Sequence, residues 1–307
     1  MSNLKDLIVA NKDCEIPSSD IVPFAGVSRA RRREEEITGV GLGLRAQHYK
    51  TILETRPAVP WFEVISENYM GKSALALRHL EAIRANYPIV LHGVSLSIGS
   101  TDPLNQSYLQ SLKALRSHID AAWISDHLCW SSFSHQYVPD LWPLPFEEKV
   151  IRHVVERILK VQDYLQERIL LENISSYLQF THSVLPEWEF ITAIAAQADC
   201  YLLLDINNIY VNAINHNFDP RHYIDAMPVA RLKQLHLGGF EKKDAYLLDT
   251  HSQSVHAAVW ELFEYAQLRF HNVPVCIEWD NDIPDFKVLF DEAKKATRIM
   301  NHVEAWC

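Results

Sequence analysis

No stretch of the 307-residue chain approaches the roughly 20 unbroken apolar residues that a membrane-spanning helix needs. Its first residues, MSNLKDLIVANKDCEIP, break their one apolar run with charges and lack a signal-peptide pattern. A soluble, cytoplasmic protein with no membrane partner is therefore expected. Cysteine is sparse: Cys14, Cys129, Cys200, Cys276 and Cys307 stand far apart with no C-x-x-C pair, which speaks against a thiolate zinc site and against a disulfide framework. Lys and Arg number 29 against 39 Asp and Glu, a formal net charge of −10. That balance argues against a nucleic-acid partner, because such affinity comes largely from basic contacts to phosphate. H-E-x-x-H and P-loop motifs are missing, and GVGLGLR lacks the third glycine of a dinucleotide-binding turn. Hydrophobic residues make up 48% and charged ones 22%, enough to bury a full-sized core.

Two periods alternate along the rest of the chain. Short β-branched runs predict strands over Val40–Arg45, Trp61–Ser66, Pro88–Leu96, Ala122–Leu128, Ile169–Ser175, Tyr201–Asn208, Leu232–Gly239 and Val273–Asp280. Between them, apolar steps of three and four predict helices over Ala74–Tyr87, Gln106–Ile119, Glu147–Gln166, Trp188–Ala198 and Val255–Leu268, with a last one after Pro284. Eight βα units imply an α/β protein with one parallel sheet, and eight is the number that closes a (β/α)8 TIM barrel. The barrel is expected over residues 39–307. Residues 1–38 form a lead-in segment whose charge run Arg29–Glu36 reads as solvated. Cys129–Phe146, with three prolines and several aromatic residues, reads as an elaborated loop after the fourth strand.

In such a barrel all strands end at one face, where their side chains meet. Reading the ends in order gives His48; Glu67 and Asn68; His92; Asp126 and His127; Glu172 and Asn173; Asp205, Asn207 and Asn208; His236; and Glu278 and Asp280. The loop after the seventh strand adds Asp249 and His251 in LLDTH. Singly, each has an ordinary explanation: His92 as a satisfied core histidine, Asp205 or Asp126 as a helix cap, Glu172 as an ion-pair partner of Arg45. Together they do not, because so many carboxylates in one pocket cannot all ionise without cations. Bound metal is the economical counter-charge, and imidazole, carboxylate and amide ligands without thiolate suit iron, manganese or zinc. There are more candidate ligands than one six-coordinate ion can use, so a multinuclear site is expected. Of the other histidines, His153 lies with Glu156 on a helix face, His153 to Arg157, expected to meet water. His79, His118, His135, His182, His256, His271 and His302 fall on helices or outer loops.

The ordered set GVGLGLRAQHY, FEVISENYMG, LHGVSLSIGS, SDHLCW, LLENISSY, LLLDINNIYVNAINH, LHLGG, DTH and CIEWDNDIP resembles the multinuclear non-haem iron-dependent oxidases, the family of the methanobactin biosynthesis oxidase. The resemblance runs over about residues 38 to 285. It implies a xylose-isomerase-like barrel holding two or three irons, with dioxygen as co-substrate, that modifies cysteine residues of a ribosomally made precursor peptide. It also implies a separate leader-peptide-recognition protein acting in trans. Carried over by motif, the metal ligands are His48, His92, Asp126, Glu172, Asn208, His236, Asp249, His251 and Glu278, with Asp205 as an alternate. His127 and Asp280 are left to move protons. The rival readings are a metal-dependent sugar isomerase, which needs a lysine near the metals, a barrel endonuclease, which needs a basic face, and a non-catalytic metal-loaded peptide-binding protein.

Overall fold

Eight short, mainly apolar strands pair in parallel and close into a barrel in the computed structural model, which describes residues 37–71, 74–134 and 136–304. The charge run Arg29–Glu36 and His135 lie outside these residues. In chain order the barrel strands are β1 (Val40–Gly43), β2 (Phe62–Ile65), β3 (Ile89–Gly93) and β4 (Ile124–His127). A hairpin follows, β5 (Trp130–Phe133) with β6 (Gln136–Trp142). The barrel resumes with β7 (Leu170–Glu172), β8 (Tyr201–Asp205) and β9 (Leu232–Leu237). A second hairpin, β10 (Phe240–Lys242) with β11 (Leu247–Asp249), precedes the closing strand β12 (Val275–Ile277), which pairs with β1. The helices are α1 (Tyr49–Thr55), α2 (Ala74–Arg84), α3 (Gln106–Ile119), α4 (Glu148–Leu165), α5 (Glu187–Ala198), α6 (Ile206–His216), α7 (Pro220–Ala226), α8 (Ala257–Arg269) and α9 (Phe286–Glu304). Among the described residues, no helix is long and apolar enough to cross a membrane.

Period-two alternation divides the strands into two apolar zones. Outward residues such as Leu42, Phe62, Leu91, Leu171, Leu204 and Leu235 pack under the helices in the large core. Inward residues form a floor of Ile37, Trp61, Val90, Trp123, Leu170, Leu203 and Cys276. Trp61 is fully buried here because β1 offers it glycine: a Cβ on Gly41 would lie 2.4 Å from the indole. The glycines of GVGLGLR thus make room inside a strand rather than a phosphate-binding turn. Above the floor the same inward positions turn polar.

Several elements depart from the expected pattern. The stretch after the fourth strand is the β5–β6 hairpin, closed by Trp130 stacking on Trp142 with ring centroids 5.6 Å apart. Of its three prolines only Pro139 falls within a strand, β6; Pro143 and Pro145 follow the hairpin. The predicted sixth strand stops at Asp205, and Ile206–His216 is helix α6, since Asp205 caps it by accepting from Asn208 N at 2.7 Å. Of the face from His153 to Arg157, Glu156 meets water as expected, but His153 is half-buried and Arg157 buried. Arg157 is 8% exposed, and its guanidinium donates to the carbonyls of Ile98 (2.7 Å), Asp102 (2.7 Å) and Ser97 (3.2 Å). His153 Nε2 meets the Ser100 carbonyl at 2.9 Å. Both side chains tie α4 to the loop that follows β3.

At the first turn of α5, Glu187 receives hydrogen bonds from Asn212 Nδ2 (3.2 Å) and Tyr223 Oη (3.3 Å). Burial pushes its carboxyl from the ordinary 4.5 up to about 7, against the pull of those two donors. A carboxyl raised in the folded state contributes its full stability below the ordinary value and loses it as pH rises through 7. Glu187→Gln should therefore leave the melting temperature unchanged at pH 5. At pH 8 it should stabilise the protein by about 2 kcal/mol, allowing for the half-buried side chain. Denaturant unfolding at the two pH values checks this, and a variant less stable than the wild type at pH 8 contradicts it.

Candidate metal centre

The inward positions above the apolar floor carry Glu63 on β2, His92 on β3, His127 on β4, Glu172 on β7, Asp205 on β8, His236 on β9 and Glu278 just beyond β12. All are buried, Asp205 and His236 completely. Their ligand atoms gather into linked groups: His92, His127 and Glu172; Glu172, Asp205, His236 and Glu278; His251, Glu278 and Asp280; and, nearer the floor, Glu63, His236 and Cys276. Glu172, His236 and Glu278 each belong to two of them, so the groups form a connected set.

Glu172 is its centre. Its Oε2 lies 3.3 Å from His92 Nε2 and 3.2 Å from His127 Nε2, and its Oε1 lies 3.1 Å from His236 Nδ1. Glu278 Oε2 stands 3.0 Å from His236 Nδ1 and 3.3 Å from His251 Nδ1. His251 Nε2 faces Asp205 Oδ2 at 3.2 Å and Asp249 Oδ1 at 3.4 Å. Close as these approaches are, both oxygens of Glu172, His92 Nε2, His236 Nδ1, His251 Nε2 and Asp205 Oδ2 are buried without a hydrogen bond of acceptable geometry. Atoms bound to one metal at about 2.0–2.2 Å and separated by 90–110° lie about 3.0–3.5 Å apart. The spacing is thus that of shared ligands whose lone pairs converge on a point, and the donor set fits a metal cluster.

Electrostatics requires the same counter-charge. Glu63, Glu172, Asp205, Glu278 and Asp280 lie within these groups, with Asp249 beside His251. Two carboxylates about 4 Å apart repel by about 4 kcal/mol at a typical effective dielectric. Arg45 offsets one of them, bonding Asp280 Oδ1 at 2.5 Å and the Trp279 carbonyl at 2.9 Å. Protons carry the remainder when metal is away. Burial raises Glu172 well above the carboxylate range, and Glu278 and Asp205 add to the rise. Burial opposes a charge on His236, but Glu63, Glu278 and Glu172 overcome it and hold that ring protonated. His251 is held likewise against burial by Asp249, Glu278 and Asp205. His92 is depressed by burial and by His127 and His236, and His127 falls to about 4 for the same reasons.

The backbone is bent to bring His251 in. It sits at φ 43°, left-handed for a residue with a side chain, a conformation that has to be held by its surroundings. Gly238 makes the approach possible, since a Cβ there would lie 1.8 Å from the imidazole Cδ2.

Of the residues singled out by sequence, Glu172, Asp205, His92, His236, His251 and Glu278 come together, with Asp249 alongside. Asp126 does not join them. His127 points inward, so its neighbour Asp126 points outward, where it accepts from His127 N (2.8 Å), Leu96 N (3.2 Å) and Tyr108 Oη (3.3 Å). Glu67 shares that outer network through Val94 N and Tyr108, and Asn68 is exposed. His127, expected to move protons, sits at ligand distance with His92 and Glu172. Asp280, given the same role, is grouped with His251 and Glu278 but is held by Arg45. His48 belongs to none of the groups; its Nε2 is buried without a partner, with the ring edge-on to Phe286. Asn208 donates to the Asn173 carbonyl at 3.1 Å and keeps a buried, unpartnered Oδ1, as does Asn207. Asn212 and His216 hold the loop after β7 through Ser176 instead of facing the centre. Glu63 escaped the strand-end reading because it lies mid-strand; alternation from the floor residue Trp61 would have found it.

A family model for the RiPP precursor modification enzyme MbnB/TglH/ChrH matches residues 39–301. A UPF0276 protein of Acaryochloris marina is 55% identical over 85% of this chain and 94% of its own length. Another, from Anaeromyxobacter sp., is 51% identical over 86% and 93%. Among solved structures, D-psicose 3-epimerase of Clostridium cellulolyticum aligns with a TM-score of 0.58 at 13% identity, covering 86% of this chain and 99% of that one. D-allulose 3-epimerase of Methylomonas sp. gives 0.56 at 13% identity, over 88% and 97%. At such identity the likeness is one of fold: the xylose-isomerase-like TIM barrel.

Among the described residues Glu172 has no arginine partner, so Glu172→Gln separates a ligand from a structural ion pair. As a ligand, its loss should lower bound metal per chain while leaving the chelator-treated protein about as stable as wild type, because an amide then replaces a carboxyl that the metal-free pocket already holds protonated. Elemental analysis beside thermal unfolding in chelator measures both. Full metal content with a stability loss of about 3–5 kcal/mol, the cost of a broken buried pair, is the opposite result.

Proposed function

The chain belongs to the family of RiPP precursor modification enzymes, MbnB/TglH/ChrH, which act on ribosomally synthesised, post-translationally modified peptides; on that premise we propose that it is a multinuclear iron-dependent oxidase. It uses dioxygen to modify cysteine residues of the precursor, presented by a separate leader-recognition protein, and works in the cytoplasm. The observation that carries the reading is the chain of buried, facing ligand atoms joined through Glu172 and Glu278. A run of groups sharing carboxylates suits more than one ion, and imidazole and carboxylate without thiolate in its upper part are ligands that iron accepts.

In this reading His92, His127, Glu172, Asp205, His236, His251 and Glu278 hold iron, with His48, Asn208 and Asp249 completing positions toward the mouth. Bound iron supplies the electron chemistry that dioxygen needs, and an open position that lowers the pKa of a substrate thiol. Burial of every central ligand keeps water from the reacting sulfur. Asp280 is assigned to proton handling: Arg45 fixes Oδ1, while Oδ2 faces His251 Nδ1 at 3.3 Å. The mouth suits a peptide. Phe133 and Tyr137 on the β5–β6 hairpin, Tyr177 and Leu178 after β7, and Tyr246 between β10 and β11 are exposed on loops at the ligand end of the barrel. Tyr177 and Tyr246 meet with centroids 5.9 Å apart, and Tyr177 Oη accepts from Asp249 N at 3.0 Å. This joins the rim to the centre. The cation at the cluster is Arg45, not the lysine that a sugar isomerase of this barrel type needs.

The test is oxygen uptake by anaerobically purified, iron-loaded protein given a cysteine-bearing precursor peptide and its recognition protein. Oxygen consumption should accompany a mass change on the peptide, and both should vanish when the peptide cysteines are replaced by serine. The same mass change without oxygen, or with zinc in place of iron, overturns the oxidase reading and leaves peptide modification of another kind.

A further inference from the structure

We infer that Glu63 is a positioning residue for the metal centre: its carboxylate fixes His236 in the orientation and tautomer that present Nδ1 to Glu172 and Glu278. The inference rests on the metal-centre reading above and extends it to a layer below the ligands. His236 Nε2 lies 2.9 Å from Glu63 Oε1, while Nδ1, on the opposite side of the ring, is the atom left buried and unpartnered. Glu63 Oε2 accepts from Gln234 Nε2 at 2.5 Å and lies 3.1 Å from His236 Nε2; Gln234 Nε2 itself lies 2.8 Å from that ring nitrogen, and Gln234 Oε1 accepts from Trp123 Nε1 at 2.8 Å.

The direction of this chain is fixed from its far end. Indole nitrogen can only donate, so the Gln234 oxygen must face Trp123 and the Gln234 nitrogen must face Glu63. Glu63 and the Gln234 nitrogen both face His236 Nε2, and an amide nitrogen cannot accept, so a proton on Nε2 is donated to the Glu63 carboxylate. A proton kept at Nε2 leaves the Nδ1 lone pair as the one available to a metal. All four side chains are buried: Trp123 is 7% exposed, Glu63 3%, and Gln234 and His236 0%. Water is thus not an alternative partner at either end. Glu63 and Gln234 span the barrel from β2 to β9, which are not neighbours in the sheet, so the pair also sets the depth at which His236 rides above the apolar floor. A carboxylate behind a metal-bound imidazole raises its basicity and holds its plane, and losing one typically weakens metal binding 10- to 100-fold.

Manganese(II), redox-silent under the assay conditions, is the probe, followed by the loss of its free-ion paramagnetic resonance signal on binding. Glu63→Gln should weaken one manganese ion per chain by about 10- to 100-fold while the other ions stay bound. Its melting temperature in chelator should be no lower than that of wild type. Glu63→Asp, which keeps the charge at shorter reach, should recover part of the loss. Should Glu63→Gln fail to fold, Trp123→Phe, which removes the donor that orients Gln234 and keeps an aromatic ring in the floor, should weaken the same ion by a smaller factor. Wild-type affinity and stoichiometry in a folded Glu63→Gln variant, or in Trp123→Phe where only that variant folds, overturn the inference and leave the metal centre standing. A wild-type chain that binds no manganese, zinc or iron removes the centre itself.

Discussion

A carboxyl group buried among three imidazoles is the feature from which the rest follows. Glu172 cannot be satisfied by His92, His127 and His236 as they stand, because their near nitrogens meet it at 3.1–3.3 Å without hydrogen-bonding geometry. Burial of a charge in that state costs several kcal/mol, which a chain of marginal stability cannot carry without return. Protons on His236 and His251 relieve it. The lone pairs that take up those protons are the ones a metal ion would need, so proton uptake and metal binding would compete.

Secondary structure around the centre serves that arrangement twice over. Asp205 caps α6 with Oδ1 and turns Oδ2 to His251, so the geometry that starts the helix also aims a ligand atom. Asn173 exchanges two hydrogen bonds with Asp205, Nδ2 to the carbonyl at 3.1 Å and Asp205 N to Oδ1 at 2.9 Å, which locks the end of β7 to the end of β8. Asn212, donating to the Ile174 carbonyl and accepting from Ser176 N, extends the same lock outward. The run of asparagines after Leu204 is thus partly a clamp on the neighbouring loop, made because a loop beside a charged pocket needs its backbone groups satisfied.

The barrel itself is shared with sugar epimerases at 13% identity, which is what a superfold allows: strands and helices repeat while the inward polar layer differs. Function has to be argued from that layer. Here it has more carboxylates than cations, Arg45 paired outward to Asp280, and hairpins with exposed aromatic residues raised beside the mouth. These features separate a peptide-modifying centre from a sugar pocket more clearly than the topology does.

The eight-fold alternation, the parallel barrel and most of the central residues were legible in the sequence, because doubly covered strands are apolar until they reach the pocket and then change abruptly. Glu172, Asp205, His236 and Glu278 could be placed in one site from strand ends alone. What the sequence could not decide was which side of each strand a residue faces near its end. Asp126 and His127 are adjacent, and a pleat sends one to the helices and the other to the centre. Alternation from Trp61 puts Glu63 on the inward face, but its contact with His236 appears only when β2 and β9 face each other across the closed barrel. Hairpins rich in aromatic residues and proline read as loop, since their pairing is made across a turn and not along a run. Local composition determined which residues are polar and buried; the closure of the sheet decided which of them meet.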